Sequence, residues 1–151
     1  MTQRTQLAVL TDRLAVDDLV SGYAAAVDDG DWTAYRALFV PAGRADYRSA
    51  GGIEGPAAEV GDWLARMLAL FQVRQHLITN RRISLDQPDG EPGDTAEVHA
   101  DYVNPMLLAR AAPEPAAPNF VTGGRYHFHA VRDGQGWRLR TVVVHEKWRL
   151  S

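Results

Sequence analysis

The residue of this chain that best fits acid–base chemistry is Asp28, at the predicted end of the first helix. A helix C-terminus presents unpaired carbonyl groups and about half a negative charge, which disfavours a carboxylate. Two interpretations are open. Asp28 and Asp29 form a solvated acidic turn, or Asp28 points into a cavity and pairs with a histidine that it orients. In the second interpretation, Asp29 faces solvent and Asp31 caps the next helix.

Three of the five histidines lie in strands whose alternation turns them outward. His99 shares its strand face with acidic residues, which is typical of a surface. His127 and His129 lie opposite an apolar face and are predicted to point outward or into a subunit interface. These two could bind a metal together, but no third ligand is evident, so we expect no metal site.

The other two histidines are the candidates for a cavity. His145 lies in a mixed run, Thr141 to Lys147, in which the inward face is ambiguous. His76 begins a strand directly after the third helix, where strand and helix meet at a cavity mouth. By pattern alone, His76 is either ligand-facing or structural.

The elements that position these residues follow from the hydrophobic period, which is about 3.6 up to Phe71 and about 2 thereafter. Gly30 ends the first helix, whose apolar stripe includes Leu7, Leu10 and Leu14. The predicted helices are Gln6–Asp29, Trp32–Phe39 and Ala57–Phe71. The predicted strands are Arg44–Ser49, His76–Leu85, Thr95–Asn104, Asn119–Arg132 and Trp137–Trp148.

These elements predict an α+β fold in one domain that spans residues 1–151. Asp86–Asp94 and Asp133–Gly136 are rich in turn residues and indicate hairpins, so we expect the sheet to be antiparallel. Ala109–Pro118, with three prolines, is predicted to be a surface loop or crossover. The efficient packing is a cone-shaped, curved antiparallel sheet wrapped around three N-terminal helices, with a ligand cavity where they diverge.

Composition excludes several classes of function. The 151 residues contain no cysteine, which rules out disulfides and thiolate chemistry and suits a cytoplasmic protein. The net charge of −3 gives no field that attracts nucleic acid. No apolar stretch approaches the roughly 20 residues that cross a bilayer, and the N-terminus lacks a signal-peptide pattern. We therefore expect no nucleic-acid or membrane partner.

Several segments together are similar to a known family. They are the run from Tyr23 to Trp32 with its Asp28-Asp29-Gly30, the segment Asp46-Tyr47-Arg48-Ser49, Gln75-His76-Leu77-Ile78, and the closing Gly136-Trp137-Arg138-Leu139 and Trp148. In kind and order they resemble the SnoaL-like, nuclear-transport-factor-2-like families, which include scytalone dehydratase. The resemblance runs through nearly the whole chain and implies a cystatin-like α+β barrel.

The resemblance also implies roles for individual residues. In scytalone dehydratase, bile-acid 7α-dehydratase and hexachlorocyclohexane dehydrochlorinase, an aspartate ending the first helix and a histidine opening this strand form the catalytic dyad. These positions match Asp28 and His76. The tyrosines of the dehydratases fall on Tyr23 and Tyr47. The second pocket histidine of scytalone dehydratase has no counterpart here, so we do not expect scytalone itself to be the substrate.

The expected function is that of a dehydratase-type lyase that uses this dyad and needs no cofactor or metal. An apolar and aromatic lining favours a small hydrophobic or ring-bearing substrate; its predicted residues are Trp63, Met67, Phe71, Tyr126 and Phe128. An isomerase or cyclase of polyketide or steroid type would use the same cavity. An epoxide hydrolase would need an Asp-Arg-Asp set, where this chain has His99-Ala100-Asp101.

A non-catalytic binding or dimerisation module is the alternative from another class of function. In either case we expect a homo-oligomer, a dimer or trimer, because the outward strand faces carry histidines and apolar residues.

Overall fold

The computed structural model of the chain describes residues 2–86, 88–108 and 116–150. Within these ranges the helices are α1 (Gln3–Asp29), α2 (Trp32–Ala37) and α3 (Ala57–Leu68), with a short 3-10 helix at Arg48–Ala50. The strands are β1 (Phe39–Asp46), β2 (Glu54–Pro56), β3 (Phe71–Val73), β4 (Leu77–Asp86), β5 (Thr95–Leu108), β6 (Phe120–Asp133) and β7 (Gly136–Leu150). Most of the predicted loop Ala109–Pro118 lies outside the described residues. None of the described helices combines the length and apolar character that a bilayer crossing requires.

The three helices pack against one curved, unclosed sheet, as an α+β cone requires. The strand order is β2-β1-β7-β6-β5-β3, and β4 pairs with the first part of β5. All neighbours are antiparallel except β1 and β7, which run parallel, so the sheet is mixed. A hairpin forces antiparallel pairing only on consecutive strands. Because β1 and β7 lie at opposite ends of the chain, no hairpin constrains their direction.

Several element boundaries differ from the predictions. Helix α2 ends at Ala37, and Phe39 begins strand β1 instead of closing the helix. Helix α3 ends at Leu68, and Phe71 begins β3. Phe39 and Phe71 continue the apolar stripe of the preceding helix, and a short apolar run at a helix end fits either structure by period alone.

The predicted buried stripe of α1 is wrong in its first half. Leu7, Leu10 and Leu14 are 64%, 57% and 67% exposed, whereas Asp12 and Val16 face the core. Sequence reasoning placed leucines inward because apolar residues usually bury. The helix buries Asp12 instead because partners on the sheet satisfy its carboxylate.

Those partners form a buried polar cluster that fastens α1 to the sheet. Arg132 of β6 donates to Asp12 Oδ2 at 2.7 Å and to Asp94 Oδ2 at 3.0 Å. The indole of Trp137 donates to Asp12 Oδ1 at 3.1 Å, and the guanidinium of Arg132 lies 4.8 Å from the Trp137 ring centroid. Burial raises the pKa of Asp94, but hydrogen bonds from neighbouring backbone N–H groups and from Arg132 outweigh it and lower that pKa. Asp94 and Arg132 therefore stay charged in the fold.

Removing the cation of this cluster should leave two buried carboxylates without their partner. We expect Arg132→Met to lower the free energy of unfolding by about 3 kcal/mol, the usual cost of breaking a buried ion pair from one side. Urea unfolding followed by circular dichroism measures this change.

The matched control is Arg36→Met, which breaks the exposed pair between Arg36 and Asp62, whose side chains are 43% and 59% exposed. This change should cost less than about 1 kcal/mol, because solvent screens exposed pairs. Equal losses for the two variants would contradict the structural role of the cluster.

Candidate active site

The site begins at the C-terminus of α1, where Asp28 precedes the capping residue Gly30. Gly30 has a left-handed backbone with φ of 67°, and its N–H bonds to the carbonyls of Ala26 and Val27. A Cβ at Gly30 would lie 3.1 Å from the guanidinium of Arg74. Glycine therefore serves both the turn of the chain and the close approach of Arg74.

Arg74 compensates the negative end of α1. Its Nε donates to the Asp28 carbonyl at 3.2 Å, and its Nη1 donates to the Leu68 carbonyl at 3.3 Å. The guanidinium thus joins the C-terminal ends of α1 and α3, where a cation is favoured. The cation of Arg74 therefore explains why a carboxylate is tolerated at this helix end.

His76 meets the Asp28 side chain through both its backbone and its ring. The backbone N–H of His76 lies 3.0 and 2.9 Å from the two carboxylate oxygens of Asp28. The ring Nδ1 lies 2.5 Å from Asp28 Oδ1. The side chains are 8% exposed for His76 and 21% for Asp28, so this pair is well shielded. The two predicted catalytic residues therefore lie in direct contact, and Asp29 is exposed beside them.

The contact fixes the form of the neutral imidazole. An ionised carboxylate only accepts hydrogen bonds, so Nδ1 carries the hydrogen and donates it to Asp28. The other ring nitrogen, Nε2, then holds the free lone pair. A histidine oriented in this way can take a proton, and the carboxylate stabilises the imidazolium that results.

His76 belongs to the wall of a cavity of about 380 Å³ between the helices and the sheet. The cavity is mainly apolar and aromatic, and exposed apolar side chains, Met67, Leu70 and Leu108, rim its opening. Six predicted contact residues line it: Tyr23, Tyr47, Trp63, Met67, Phe71 and Tyr126.

Phe128, the seventh predicted contact residue, is fully buried and does not line the cavity. Its ring packs behind Tyr23 and Tyr126, with centroids 5.3 Å from each. Alternation along β6 places Phe128 on the inner face, but that face continues past the cavity into the core.

Tyrosine hydroxyls supply the hydrogen-bond donors of this cavity. The hydroxyls of Tyr23 and Tyr47 bond directly to each other. Burial raises the pKa of Tyr47, Tyr102 and Tyr126 above the ordinary tyrosine value, and the charge of Asp28 adds to the effect on Tyr126. These groups therefore remain protonated and able to donate across the physiological pH range.

The structure adds cavity residues that sequence reasoning missed. Asn104 and Thr122 face the cavity from adjacent strands, where they are paired in register. Asn104 had a detectable signal, because it continues the inward alternation of Val98, Ala100 and Tyr102 along β5.

Glu146 and Arg149 form an ion pair in the cavity wall, with nitrogen–oxygen distances of 3.0 and 3.1 Å. Arg149 also donates to the Ala50 carbonyl at 3.1 Å, which ties the end of β7 to the 3-10 helix. A side-chain pair at the end of a strand leaves no periodic pattern that the sequence could reveal.

The remaining histidines lie away from the cavity. His99 and His127 stack on the outer sheet face with ring centroids 4.2 Å apart, and His145 is exposed. Among the described residues, no group of three or more His, Cys, Asp or Glu side chains is arranged to hold a metal ion.

A second depression of about 440 Å³ has a different character. Asn80, Arg81, Arg82, Asp101 and Arg125 line it. Arg81 bonds to Asp17 at 3.1 Å and Arg125 to Asp101 at 2.8 Å, so two of its three arginines already have carboxylate partners. Asp101 lines this depression and not the cavity with His76, so it does not join Asp28 in an epoxide-hydrolase arrangement.

Comparisons with known proteins agree with this architecture. An uncharacterised protein of Mycobacterium tuberculosis is 30% identical over 133 residues, which cover 88% of this chain and 84% of that protein. The crystal structure of the protein Kfla4162 from Kribbella flavida has a TM-score of 0.78 at 24% identity and covers 93% of this chain and 94% of its own.

Hexachlorocyclohexane dehydrochlorinase LinA-type3 from Novosphingobium barchaimii has a similar fold, with a TM-score of 0.75 at 16% identity and coverage of 95% and 92%. The family model of the SnoaL-like domain matches residues 8–143, which are most of the chain. The chain therefore belongs to the SnoaL-like domain family.

Proposed function

We propose that this protein is a cofactor-independent, dehydratase-type lyase that acts on a small hydrophobic or ring-bearing carbonyl compound. The observation that carries the proposal is the 2.5 Å contact between His76 Nδ1 and Asp28 Oδ1 beside a mainly apolar cavity. An aspartate that orients a histidine is a common arrangement for a general base. Because the His76 and Asp28 side chains are shielded from water, the attraction between the imidazolium and the carboxylate is stronger.

In the proposed reaction, His76 Nε2 removes a proton from the carbon next to the substrate carbonyl. The C–H electron pair becomes the carbon–carbon double bond of an enolate as the carbonyl π pair moves onto oxygen, and Asp28 stabilises the imidazolium. The enolate oxygen accepts a hydrogen bond from the Tyr23 and Tyr47 pair, in which one hydroxyl donates to the other and the second keeps its hydrogen for the substrate.

Elimination follows when the enolate carbonyl re-forms and expels a hydroxyl from the β-carbon. A carbon–carbon double bond forms as the carbon–oxygen bond breaks. The imidazolium gives its proton to the departing hydroxyl, which leaves as water, and His76 returns to its neutral form. Atoms and charge balance without an external oxidant or reductant.

The fold relationship supports elimination over other uses of the same base. A structure of similar fold is a dehydrochlorinase, which by its name removes a leaving group from a small apolar molecule. An isomerase would instead return the proton to a different carbon of the substrate. Two measurements separate these outcomes.

The first measurement follows exchange of the α-hydrogens of 1-tetralone in deuterium oxide by NMR, which reports proton abstraction alone. The second follows dehydration of 3-hydroxy-1-tetralone to the fluorescent product 1-naphthol, which reports elimination. Exchange without 1-naphthol formation would favour the isomerase or cyclase alternative. Neither reaction above background would contradict the proposal.

Replacing either member of the dyad should reduce both reactions. We expect His76→Ala and Asp28→Asn each to lower the rate by a factor of roughly 10² or more, because the first removes the base and the second removes the charge that fixes its form. Circular dichroism and thermal unfolding establish that both variants keep the fold.

The matched controls change one exposed aspartate and one exposed histidine, as Asp29→Asn and His145→Ala. Both should retain activity within about threefold, as changes of exposed residues usually have small effects. A loss that is equally large in Asp29→Asn would remove the special role of Asp28.

Arg74 should act on the reaction through Asp28. We expect Arg74→Met to slow α-hydrogen exchange by roughly tenfold, about 1.4 kcal/mol. Without the guanidinium, the negative end of α1 disfavours the Asp28 carboxylate that orients His76. Arg74→Lys should restore part of the rate, while the Kd of 1-tetralone stays the same in all three proteins. A change in Kd with an unchanged rate would show that Arg74 only shapes the cavity.

We also propose that the outer sheet face is an interface between copies of the chain in a dimer or trimer. His99 and His127 stack there, and His127 Nε2 is buried, lies 3.6 Å from Glu97 Oε1 and makes no hydrogen bond within the described residues. Val143 and His129 lie half-buried on the same face. A stable interface of about 800 Å² per partner would cover these residues.

Analytical ultracentrifugation at micromolar concentration should show a dimer or trimer. The double change His127→Glu and His129→Glu should shift it toward monomer, because like charges then face each other across the interface. Arg66→Glu, on the exposed side of α3, is the control that keeps the assembly. A wild-type protein that sediments only as a monomer would contradict the proposal.

A further inference from the structure

The first half of α1 exposes apolar side chains and buries a charged one. Asp12 and Val16 face the core, whereas Leu7, Leu10 and Leu14 are each more than half exposed. Their spacing of three and four residues places these three leucines, the leucine stripe, along one side of the helix. A single exposed leucine is ordinary, but a continuous apolar stripe is typical of a surface that another molecule covers.

The fold holds the helix in this orientation. Arg132 and Trp137 both bond the Asp12 carboxylate from the inner side. Arg13 Nη1, one residue further along, donates to the Ile83 carbonyl of β4 at 2.7 Å. Turning the leucine stripe inward would pull Asp12 away from its buried cation, which is costly. The stripe therefore stays on the surface, and only a partner can cover it.

The charges at the two ends of the leucine stripe indicate what that partner is. Arg4 lies three residues before Leu7, and Asp18 lies four residues after Leu14, so each is a helical neighbour of a stripe leucine. Both side chains are exposed, and neither has an ion-pair partner in the part of the chain that the structure describes. A copy of the same stripe in the reverse direction complements these charges, whereas a copy in the same direction brings like charges together.

We propose that the leucine stripe binds the same stripe of a second copy of this chain, with the two α1 helices packed antiparallel across a two-fold axis. Setting Leu7 opposite Leu14 of the partner subunit places this axis beside Leu10, so the two Leu10 side chains meet at the centre. Arg4 then lies near Asp18 of the partner subunit, and this pair forms twice by symmetry. The contact involves no residue of the proposed active site, so it does not depend on the proposed lyase activity.

The size of the contact sets the strength of the association. From Arg4 to Asp18, α1 is about 22 Å long. Beside the stripe, a groove of about 610 Å³ between α1 and the link from β4 to β5, with Leu7 and Pro88 in its wall, adds surface for the partner helix. Such a contact is smaller than the roughly 800 Å² per partner of a standard interface, so we expect a Kd on the order of 10 µM. The helices and His127 lie on opposite faces of the sheet, so the two interfaces can form together.

Sedimentation equilibrium from about 1 to 300 µM, a range that brackets the expected Kd, tests the association. The double change His127→Glu and His129→Glu leaves only the helix contact, and this protein should show a monomer–dimer equilibrium. Adding Leu10→Glu should raise the Kd by a factor of about 30 or more, because it buries a charge at the centre of the contact. The control Ile53→Glu changes an exposed aliphatic residue outside α1 and should leave the Kd within about threefold.

Disulfide cross-linking tests the direction of the helices, since the chain contains no cysteine of its own. Leu10→Cys should form a covalent dimer about tenfold faster than Leu7→Cys or Leu14→Cys alone, because only a residue beside the two-fold axis faces itself. A mixture of Leu7→Cys and Leu14→Cys should give the mixed dimer, identified by its mass, as fast as Leu10→Cys. Arg66→Cys, exposed on α3, measures random collision. Fast cross-linking of Leu7→Cys with itself would show parallel helices and overturn the proposal.

A charge exchange tests the ends of the stripe. Arg4→Glu and Asp18→Lys should each raise the Kd about three- to tenfold, because each places like charges opposite one another. The double variant restores the pairs with exchanged signs and should recover most of the wild-type affinity. Losses that simply add in the double variant would contradict the antiparallel arrangement.

Folding and the other occupant of such a stripe are controlled separately. The leucines are exposed in the single chain, so thermal unfolding of Leu10→Glu, measured below the Kd, should stay within about 3 °C of the wild type. If this variant does not fold, Leu10→Gln carries the same comparison. A protein that stays monomeric throughout the concentration range overturns the proposal. Flotation with phosphatidylcholine vesicles that is lost in Leu10→Glu, without self-association, would assign the stripe to a lipid surface and also overturn it.

Discussion

The carboxylate of Asp28 is the point on which the rest of the site depends. It lies at a helix end that repels negative charge, and three groups from one short segment make the position tolerable. The Arg74 guanidinium reaches the helix carbonyls, while the backbone N–H and the ring of His76 reach the carboxylate. The same contacts that stabilise the charge of Asp28 also hold His76 in the cavity wall, so the stability of the carboxylate and the orientation of the imidazole have one cause.

This arrangement also explains how the helices and the sheet share the site. Asp28 comes from α1, and Arg74 and His76 come from the link between β3 and β4, which carries the chain along the edge of the sheet beside β5. In the first half of α1, Arg132 bonds Asp12 and fixes the helix to β6. Polar contacts at Asp12 and at Asp28 therefore hold α1 to the rest of the fold, although the first half of the helix lacks a complete apolar face.

Much of this could be predicted from sequence because the signals are local. The change of period near Phe71 separates the three helices from the long strands β4 to β7, and an acid beside a capping glycine marks Asp28. The parallel pairing of β1 with β7 leaves no such signal, because it joins strands from opposite ends of the chain. Leu7 was misplaced for a related reason: the partners that bury Asp12 are about 120 residues away. The alternation of β5 indicates that Asn104 faces inward. Alternation identifies the inner face of the sheet but not the part of that face that borders the cavity. Phe128 lies on the inner face and yet does not line the cavity.

The distribution of polar groups in the cavity constrains the reaction more than its apolar lining does. In the reaction we propose, proton removal creates charge on the substrate oxygen and on the imidazole, and the two charges must be stabilised at different places. Asp28 serves the imidazole, while the buried tyrosines, whose pKa values are raised, remain donors that can serve the oxygen. A tyrosine that ionised at neutral pH would repel the enolate. The burial that makes these hydroxyls weak acids therefore also makes them suitable stabilisers, and it supports a single imidazole as the group that moves the proton.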